Sequence, residues 1–414
     1  MKDKEWKEKN AKNSSDKSDN VLVGIYKCDS YNLDKIYNKI KKGLMDINFD
    51  FSKYKKNGKK KPLCLLKPNI IIPIKPNSAV VTHPLIVEAA IKIFLENGFR
   101  VVVGESDGSA TTSKGFVETG IKEIAEKYGV ECIAFEDYKK NRLVKIKNEK
   151  NIVLKEFFVS KIIRDADLIV NLPKLKTHVL TMYTGAVKNM FGVIPGATKS
   201  KYHGIAKTPQ NFSNLLLDIY YTVKPELNIM DGIVGMEGNG PSRGIPKKAG
   251  LILISENGIA LDLVATKSIG FENIVTLNKV ALKRENNNLQ SRIRIVGDFE
   301  RAPIIRFKKP MQLNKGIFYF VQSNAGRVPK KPFIDKNKCI KCLKCYSNCP
   351  ARAISIVNEY PKINPKKCIA CYCCYEQCPA NAVKLRSSAL TKTYELLKKS
   401  LLKIKSPFLK KRWF

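Results

Sequence analysis

The chain has 414 residues, of which 44% are hydrophobic and 27% charged, with 12 Cys and only 3 His. This composition can bury a sizeable core, which excludes wholesale disorder, a fibrous protein and a disulfide-stapled mini-protein. A formal net charge of +38, from 75 Lys+Arg against 37 Asp+Glu, points to anionic partners. The basic residues are spread along the chain and aromatics do not interleave with them, so a nucleic-acid stacking platform is not expected.

Residues 1–20 are polar and mixed in charge and read as a disordered tail. They hold no apolar stretch of the secretory kind, and no apolar run in the chain is long enough to span a bilayer. The default expectation is a cytoplasmic protein, where clustered Cys serve metals or redox work rather than disulfides. Val21–Tyr26 is the first expected strand, and residues 53–61 read as a basic, solvated loop. Leu63–Ile72 is a strand-like run broken by Lys67-Pro68-Asn69. Pro84–Asn97 has helical periodicity and stops at Gly98, and Phe116–Tyr128 does so at Gly129. Val101–Gly104, Glu131–Phe135 and Leu168–Asn171 read as strands. The alternation resumes with a helix at Phe212–Thr222, strands at Leu227–Met230 and Leu251–Ser255, and a helix at Ile259–Ile269. Strands alternating with helices imply βαβ units, so residues 21–300 are expected to form one large α/β domain on a mostly parallel sheet. Residues 301–332 read as a linker with one apolar segment, Ile317–Val321.

All three histidines lie in dense polar motifs. His83 precedes the first expected helix, His178 closes the segment from Asn171, and His203 follows Pro195. Lys174, Lys176, His178, Lys188 and Lys199 suggest an anion site at strand ends, where open α/β sheets bind ligands, with His203 a further site candidate and His83 suited equally to capping or packing. His178, Lys188 and Glu105 are the candidate catalytic residues, with His178 or Glu105 handling protons. Lys176, Asn189, His203, Arg243 and Glu237 are the candidate substrate-binding residues. Glu105 and Asp107 follow a strand directly and suit metal binding, proton transfer or plain turn chemistry. Residues 231–244 read as a Gly-rich loop, either in contact with a ligand or simply long. It is neither a Walker A loop nor a GxGxxG fingerprint, and no flavin or nicotinamide fingerprint occurs elsewhere. Asp262 is a polar position in an apolar helix, suited equally to a satisfied core carboxylate or to the site.

These blocks resemble the uncharacterised family catalogued as domain of unknown function 362. The resemblance rests on KPN at 67–69, GES at 104–106, PKLKTH at 173–178, TGAVKNMFG at 184–192, PG at 195–196 with His203, DGIVGMEGNGP at 231–241 and ALD at 260–262. It covers roughly residues 62–270 and implies that the blocks form one site, without supplying a reaction.

The sharpest signal lies at residues 333–383. Cys339, Cys342, Cys345 and Cys349 repeat as Cys368, Cys371, Cys374 and Cys378 at an offset of 29, each set reading C-x2-C-x2-C-x3-C-P. Three thiolates on one tight loop cap three irons of a cube, and in two-cluster proteins the fourth crosses to the other cluster. One [4Fe–4S] cluster is therefore expected on Cys339, Cys342, Cys345 and Cys378, and a second on Cys368, Cys371, Cys374 and Cys349. Zinc knuckles do not need this crossed repeat. The stretch resembles bacterial-type two-cluster ferredoxins, small α+β domains. Cys373 is an extra cysteine beside a ligand, while Cys28, Cys64 and Cys132 read as core packing. Residues 384–414 read as a basic amphipathic helix suited to an anionic membrane surface or to packing on protein. The expected whole is an iron–sulfur protein exchanging electrons with a small anionic substrate and an acidic redox partner. The alternative is a non-enzymatic carrier or a docking or assembly protein.

Overall fold

The computed structural model describes residues 20–55, 61–108, 110–137, 142–206, 208–310 and 331–386. The expected N-terminal tail, most of the basic loop at 53–61, the segment Ile317–Val321 and the basic stretch from residue 387 lie outside them. The chain divides into two compact units, at 1–311 and 312–414.

The first unit is built on a ten-stranded sheet. Its strands are β1 (Val21–Lys27), β2 (Leu63–Lys67), β3 (Arg100–Glu105), β4 (Glu131–Ala134), β7 (Leu168–Asn171), β8 (Lys174–His178), β9 (Met182–Thr184), β10 (Leu227–Glu237), β11 (Ile245–Ser255) and β12 (Ile293–Gly297). A separate antiparallel hairpin joins β5 (Leu143–Lys147) to β6 (Glu156–Ser160). The main order is β12-β1-β11-β10-β7-β2-β3-β4, with β8 on β10 and β9 on β8. Strands β10, β7, β2, β3 and β4 run parallel, whereas β11 is antiparallel to both neighbours.

The central strands are continuous apolar runs because both faces are covered. The period-2 alternation sorts their side chains: Cys64, Leu66, Val101 and Val103 enter one core and Leu65 and Val102 the other. Helices Leu33–Asp46, Pro84–Glu96 and Ile121–Lys127 cover the first face; helices Pro209–Val223, Gly258–Ser268 and Thr276–Arg284 cover the second. Each fully buried Leu or Ile contributes roughly 1.5–3 kcal/mol. Helix Pro84–Glu96 starts on Pro84 with His83 as N-cap, its Nδ1 accepting from Leu85 N–H at 3.2 Å. The helical stretch expected at Phe116–Tyr128 is two helices, Thr112–Glu118 and Ile121–Lys127, broken at Gly120 with φ +76°. Residues 231–237, expected in a loop, continue β10 and pair with β11. Residues 301–310 are tied to this unit by Ile305 N–H to Ser268 O and Phe307 N–H to Ile269 O.

The second unit repeats itself. Strand β13 (Lys331–Ile334) pairs with β16 (Val383–Arg386), and β14 (Ile354–Val357) with β15 (Tyr360–Ile363). Residues 384–386, expected to begin a helix, thus belong to a strand. Two single-turn helices, Lys344–Ser347 and Cys373–Glu376, sit at equivalent places.

Candidate cluster sites and a buried lysine–histidine group

Two small cavities open in the second unit. Cys339, Cys342, Cys345 and Cys378 line one; Cys349, Cys368, Cys371 and Cys374 line the other. The fourth Cys of each run therefore faces the cavity of the other run. The remaining walls are largely apolar, from Ile334, Leu343 and Val383 in one to Pro332, Ile354 and Tyr372 in the other.

The backbone between the thiols is left-handed at equivalent positions: Lys341 and Ala370 (both φ 54°), Leu343 and Tyr372 (52° and 64°), Arg352 and Asn381 (46° and 51°). Such turns aim N–H groups at sulfur. Ala353, Ala370 and Ala382 donate to Cys349, Cys368 and Cys378 Sγ at 3.2–3.4 Å. Burial pushes the Cys345 thiol up to about 11, with Cys378, Cys342 and Cys339 adding repulsion. Cys374 is raised for the same reasons, its neighbours being Cys371, Cys368, Cys345 and Cys349. Thiols so crowded become thiolates only around an electropositive group. Among the described residues no three His, Cys, Asp or Glu groups converge on a single-ion site. Each set of four sulfurs rings a volume instead, and this donor set fits an iron–sulfur cube. Cys373 also lines the second cavity. Cys28 and Cys64 are buried and Cys132 is half-buried, all against the first core.

In the first unit the parallel strands end in polar residues. Lys67 ends β2, Glu105 ends β3 and Asn171 ends β7. Lys67 Nζ lies 2.5 Å from Glu105 Oε2, with both side chains buried. Burial moves Glu105 up and Lys67 down, while each opposes the shift of the other. The pair fits because Gly192 offers no Cβ where Glu105 Oε1 and Lys67 Nζ lie. Glu105 Oε1 also accepts from Ser106 N–H, and Asp107 accepts from Thr111, so these carboxylates are engaged within their own turn and with Lys67. Lys199 Nζ donates to Ser106 O at 2.6 Å and Asp107 O at 3.0 Å. Asn189 Nδ2 donates to Asn171 Oδ1 at 2.7 Å, and Asn171 Nδ2 to Asn228 Oδ1 at 2.9 Å, a relay across the strand ends.

Segment Lys174–His178, read in the sequence only as a polar motif, is strand β8 and is buried throughout. Its alternation puts Lys174, Lys176 and His178 on one face. Lys174 Nζ pairs with Asp231 Oδ2 at 2.7 Å and donates to Tyr31 OH at 2.8 Å. Tyr31 stacks on His83 at 3.6 Å between centroids. Lys176 Nζ donates to Val80 O at 2.6 Å. His178 Nδ1 accepts from Leu180 and Thr181 N–H, so the proton of its neutral ring sits on Nε2. Burial holds His178 well below its ordinary value, and Lys188, His203 and Lys176 push it further the same way. His203 is held down to about 3 by burial and then by Lys188. Its ring stacks on Phe212 and meets Phe191 edge-on.

Lys188 thus acts electrostatically on both His178 and His203, and Lys176 on His178. Asn189 adjoins Lys188 but turns toward Lys67 and Asn171. Glu105 belongs to the Lys67–Lys199 group. Glu237 Oε2 accepts from Lys308 N–H at 2.8 Å, and Arg243 lies half-buried in the turn between β10 and β11.

Residues 64–267 match the family described as "Domain of unknown function (DUF362)", and residues 331–379 match a 4Fe–4S dicluster domain. The chain joins a DUF362 domain to a 4Fe–4S dicluster domain. A thylakoid-associated protein of Synechocystis is 32% identical over 203 residues, 49% of this chain and 61% of the relative. The chain thus spans about three fifths of that protein's length. The lactate racemase apoprotein of Thermoanaerobacterium thermosaccharolyticum superposes with a TM-score of 0.38 at 11% identity, over 63% of this chain and 60% of that one, too low to carry an argument.

Within the DUF362 domain, sequence reasoning missed the Lys174–Asp231–Tyr31 trio and the partners of Lys67. It left Asp262 open between core and site. Asp262 accepts from Tyr183 OH at 2.9 Å, Ala186 N–H at 2.7 Å and Val187 N–H at 3.0 Å. It is a satisfied buried carboxylate that pins the DUF362 block carrying Lys188. Burial raises it to about 6 against those donors.

Proposed function

We propose that this protein is an iron–sulfur redox protein with two [4Fe–4S] clusters, exchanging electrons with a small anionic substrate or cofactor in the DUF362 domain. Cys339, Cys342, Cys345 and Cys378 hold one cluster; Cys349, Cys368, Cys371 and Cys374 hold the other. Bound there, the clusters supply one-electron transfer, two sites together covering a two-electron reduction. The observation that carries the substrate reading is that Lys188 acts on two buried neutral histidines, His178 and His203, and Lys176 on His178. An anion bound there is attracted by these lysines across a poorly screened, buried site.

In this reading Lys188 and Lys176 bind and orient the anion, and Asn189 holds the strand ends in place. The Nε2 proton of His178 is the one offered to the reacting group, since Nδ1 is occupied by two backbone donors. An arriving anion raises both histidines, which readies them as acids. Glu105 pairs with Lys67 and positions that group rather than moving protons.

Native mass spectrometry with iron and sulfide analysis on anaerobically purified protein tests this. About eight irons per chain are expected, with a further bound mass that disappears in Lys188→Ala while the iron stays. A bound mass unaffected by Lys188→Ala overturns the site assignment.

A second reading is a non-enzymatic electron carrier or docking protein. It is favoured by the lysines with internal partners: Lys67 on Glu105, Lys174 on Asp231, Lys176 on Val80 O and Lys199 on Ser106 O. It expects clusters and no further bound mass.

A further inference from the structure

The two cysteine cavities share one repeated backbone, yet they differ in how far they open to the surface. Ligand positions and single-turn helices recur at the offset of 29 residues, so side chains around one cavity have counterparts around the other. Ile340 is 65% exposed, whereas its counterpart Ile369 is half-buried. Tyr346 is 47% exposed and Tyr375 only 7%. Cys342 is exposed and Cys371 half-buried. Ile340 and Cys342 line the first cavity; Ile369 and Cys371 line the second. All three differences open the first site and close the second.

Charge follows the same asymmetry. Residues 335–347 hold Lys336, Lys338, Lys341 and Lys344 against Asp335; the counterpart residues 364–376 hold Lys366 and Lys367 against Glu376. Lys336 and Lys341 converge on Tyr360, their Nζ atoms lying 5.5 and 4.8 Å from its ring centroid. Lys341 also pairs with Glu359 at 2.6 Å. Tyr360 precedes Pro361, which lines the first cavity, and exposed Ile356 pairs with Pro361 across the hairpin. The helix Lys344–Ser347, which carries Tyr346, packs against the strand of Ile356. Apolar and aromatic side chains within a charged rim are the anatomy of a protein–protein interface.

We propose that Ile340, Tyr346 and Ile356, with Lys336 and Lys338, form the docking face for an acidic one-electron carrier protein. The inference rests on the iron–sulfur reading above and names the partner's place on it. One electron crosses there: the carrier is oxidised and the site of Cys342 is reduced. A cysteine-lined cavity beneath the face serves a partner that gives or takes an electron, which favours a carrier over a lipid surface. A second copy of the chain, at +38, is repelled. Interfaces of electron-transfer proteins are small and transient, so charge complementarity carries much of the encounter.

The test reads binding rather than turnover. The full, iron-loaded chain is titrated calorimetrically with a flavodoxin, a small acidic one-electron flavoprotein, in low and high salt. Two double variants with the same change in charge are compared. Lys336→Glu with Lys338→Glu is expected to raise Kd about tenfold or more, and Lys366→Glu with Lys367→Glu no more than about twofold. Tyr346→Ala is expected to weaken binding in both salts, because an apolar contact is not screened. Iron analysis shows whether each variant keeps its clusters; Lys336→Gln with Lys338→Gln replaces the glutamates if they unseat iron, with a smaller loss of the same sign. The proposal is overturned if the two lysine pairs weaken binding equally, if Tyr346→Ala leaves Kd unchanged, or if no saturable binding occurs. It is also overturned by tighter binding to vesicles of phosphatidylglycerol and phosphatidylcholine than to flavodoxin, or by a dimer that Tyr346→Ala dissolves. A chain of about four irons that keeps the expected order of Kd values defeats the two-cluster reading and leaves the docking face standing.

Discussion

Lys199 donates to two backbone carbonyls at 2.6 and 3.0 Å, and burial brings its ammonium down to about 8. The ordinary lysine value is 10.5. Between the two values the unfolded chain holds more protons than the folded one, so stability rises with pH across that window. Below about pH 8 the ionisation cost is present in full, about 3 kcal/mol. Lys199→Met removes the titrating group. The wild-type thermal midpoint, followed by circular dichroism, is expected to gain on the variant from pH 8 to pH 10. Parallel profiles for the two proteins would mean that Lys199 keeps an ordinary proton affinity. The neutral histidines carry a related lesson: His178 and His203 supply hydrogen-bond donors at neutral pH, and the positive charge of the group comes from lysine.

Asp262 shows how one element positions another. The helix Gly258–Ser268 carries it, capped by Asn257 Oδ1 accepting from Ile259 and Ala260 N–H at 3.0 Å. Its carboxylate fastens the short helix Ala186–Asn189, and with it Lys188. Asp262→Ala leaves three buried donors without their acceptor and is expected to cost about 3 kcal/mol or more. Bound anion is lost although no substrate contact is removed. Full anion binding in Asp262→Ala, measured by titration with inorganic phosphate, would refute that coupling. The central strands were legible because LCLLK, VVVG and LIVN are continuous apolar runs that only a doubly covered sheet accommodates. Strand β8 was not, because KLKTH looks like a surface motif. Its lysines are buried against Asp231 and Val80 O, partners 57 and 96 residues away. The helix Leu33–Asp46 was missed although Asn32 caps it and Leu33, Ile36, Ile40 and Leu44 follow helical spacing. The cysteine cavities were the most legible part, since the spacing encodes loop geometry directly. The side-chain groups of the DUF362 domain were legible only as a list, because their pairings are long-range.

At the scale of the whole molecule, a net charge of +38 is too large to be neutralised internally, where 37 acidic residues meet 75 basic ones. Its first consequence is kinetic. A field of one sign steers oppositely charged proteins into encounter and repels others, changing association rates more than final affinity. A strongly acidic one-electron carrier is therefore the expected redox partner. The screening length falls from about 30 Å at 0.01 M salt to about 8 Å at 0.15 M. Stopped-flow electron transfer between this protein and such a carrier should slow by about tenfold or more across that range. The same experiment with Lys188→Ala separates the roles of the two domains. Lys188 lies half-buried in the proposed anion site, so its loss is expected to leave electron entry and its salt dependence unchanged while abolishing delivery to a bound anion. A rate insensitive to salt would show that the surface charge serves something other than redox docking. A rate lowered by Lys188→Ala would place electron entry in the DUF362 domain rather than in the dicluster domain.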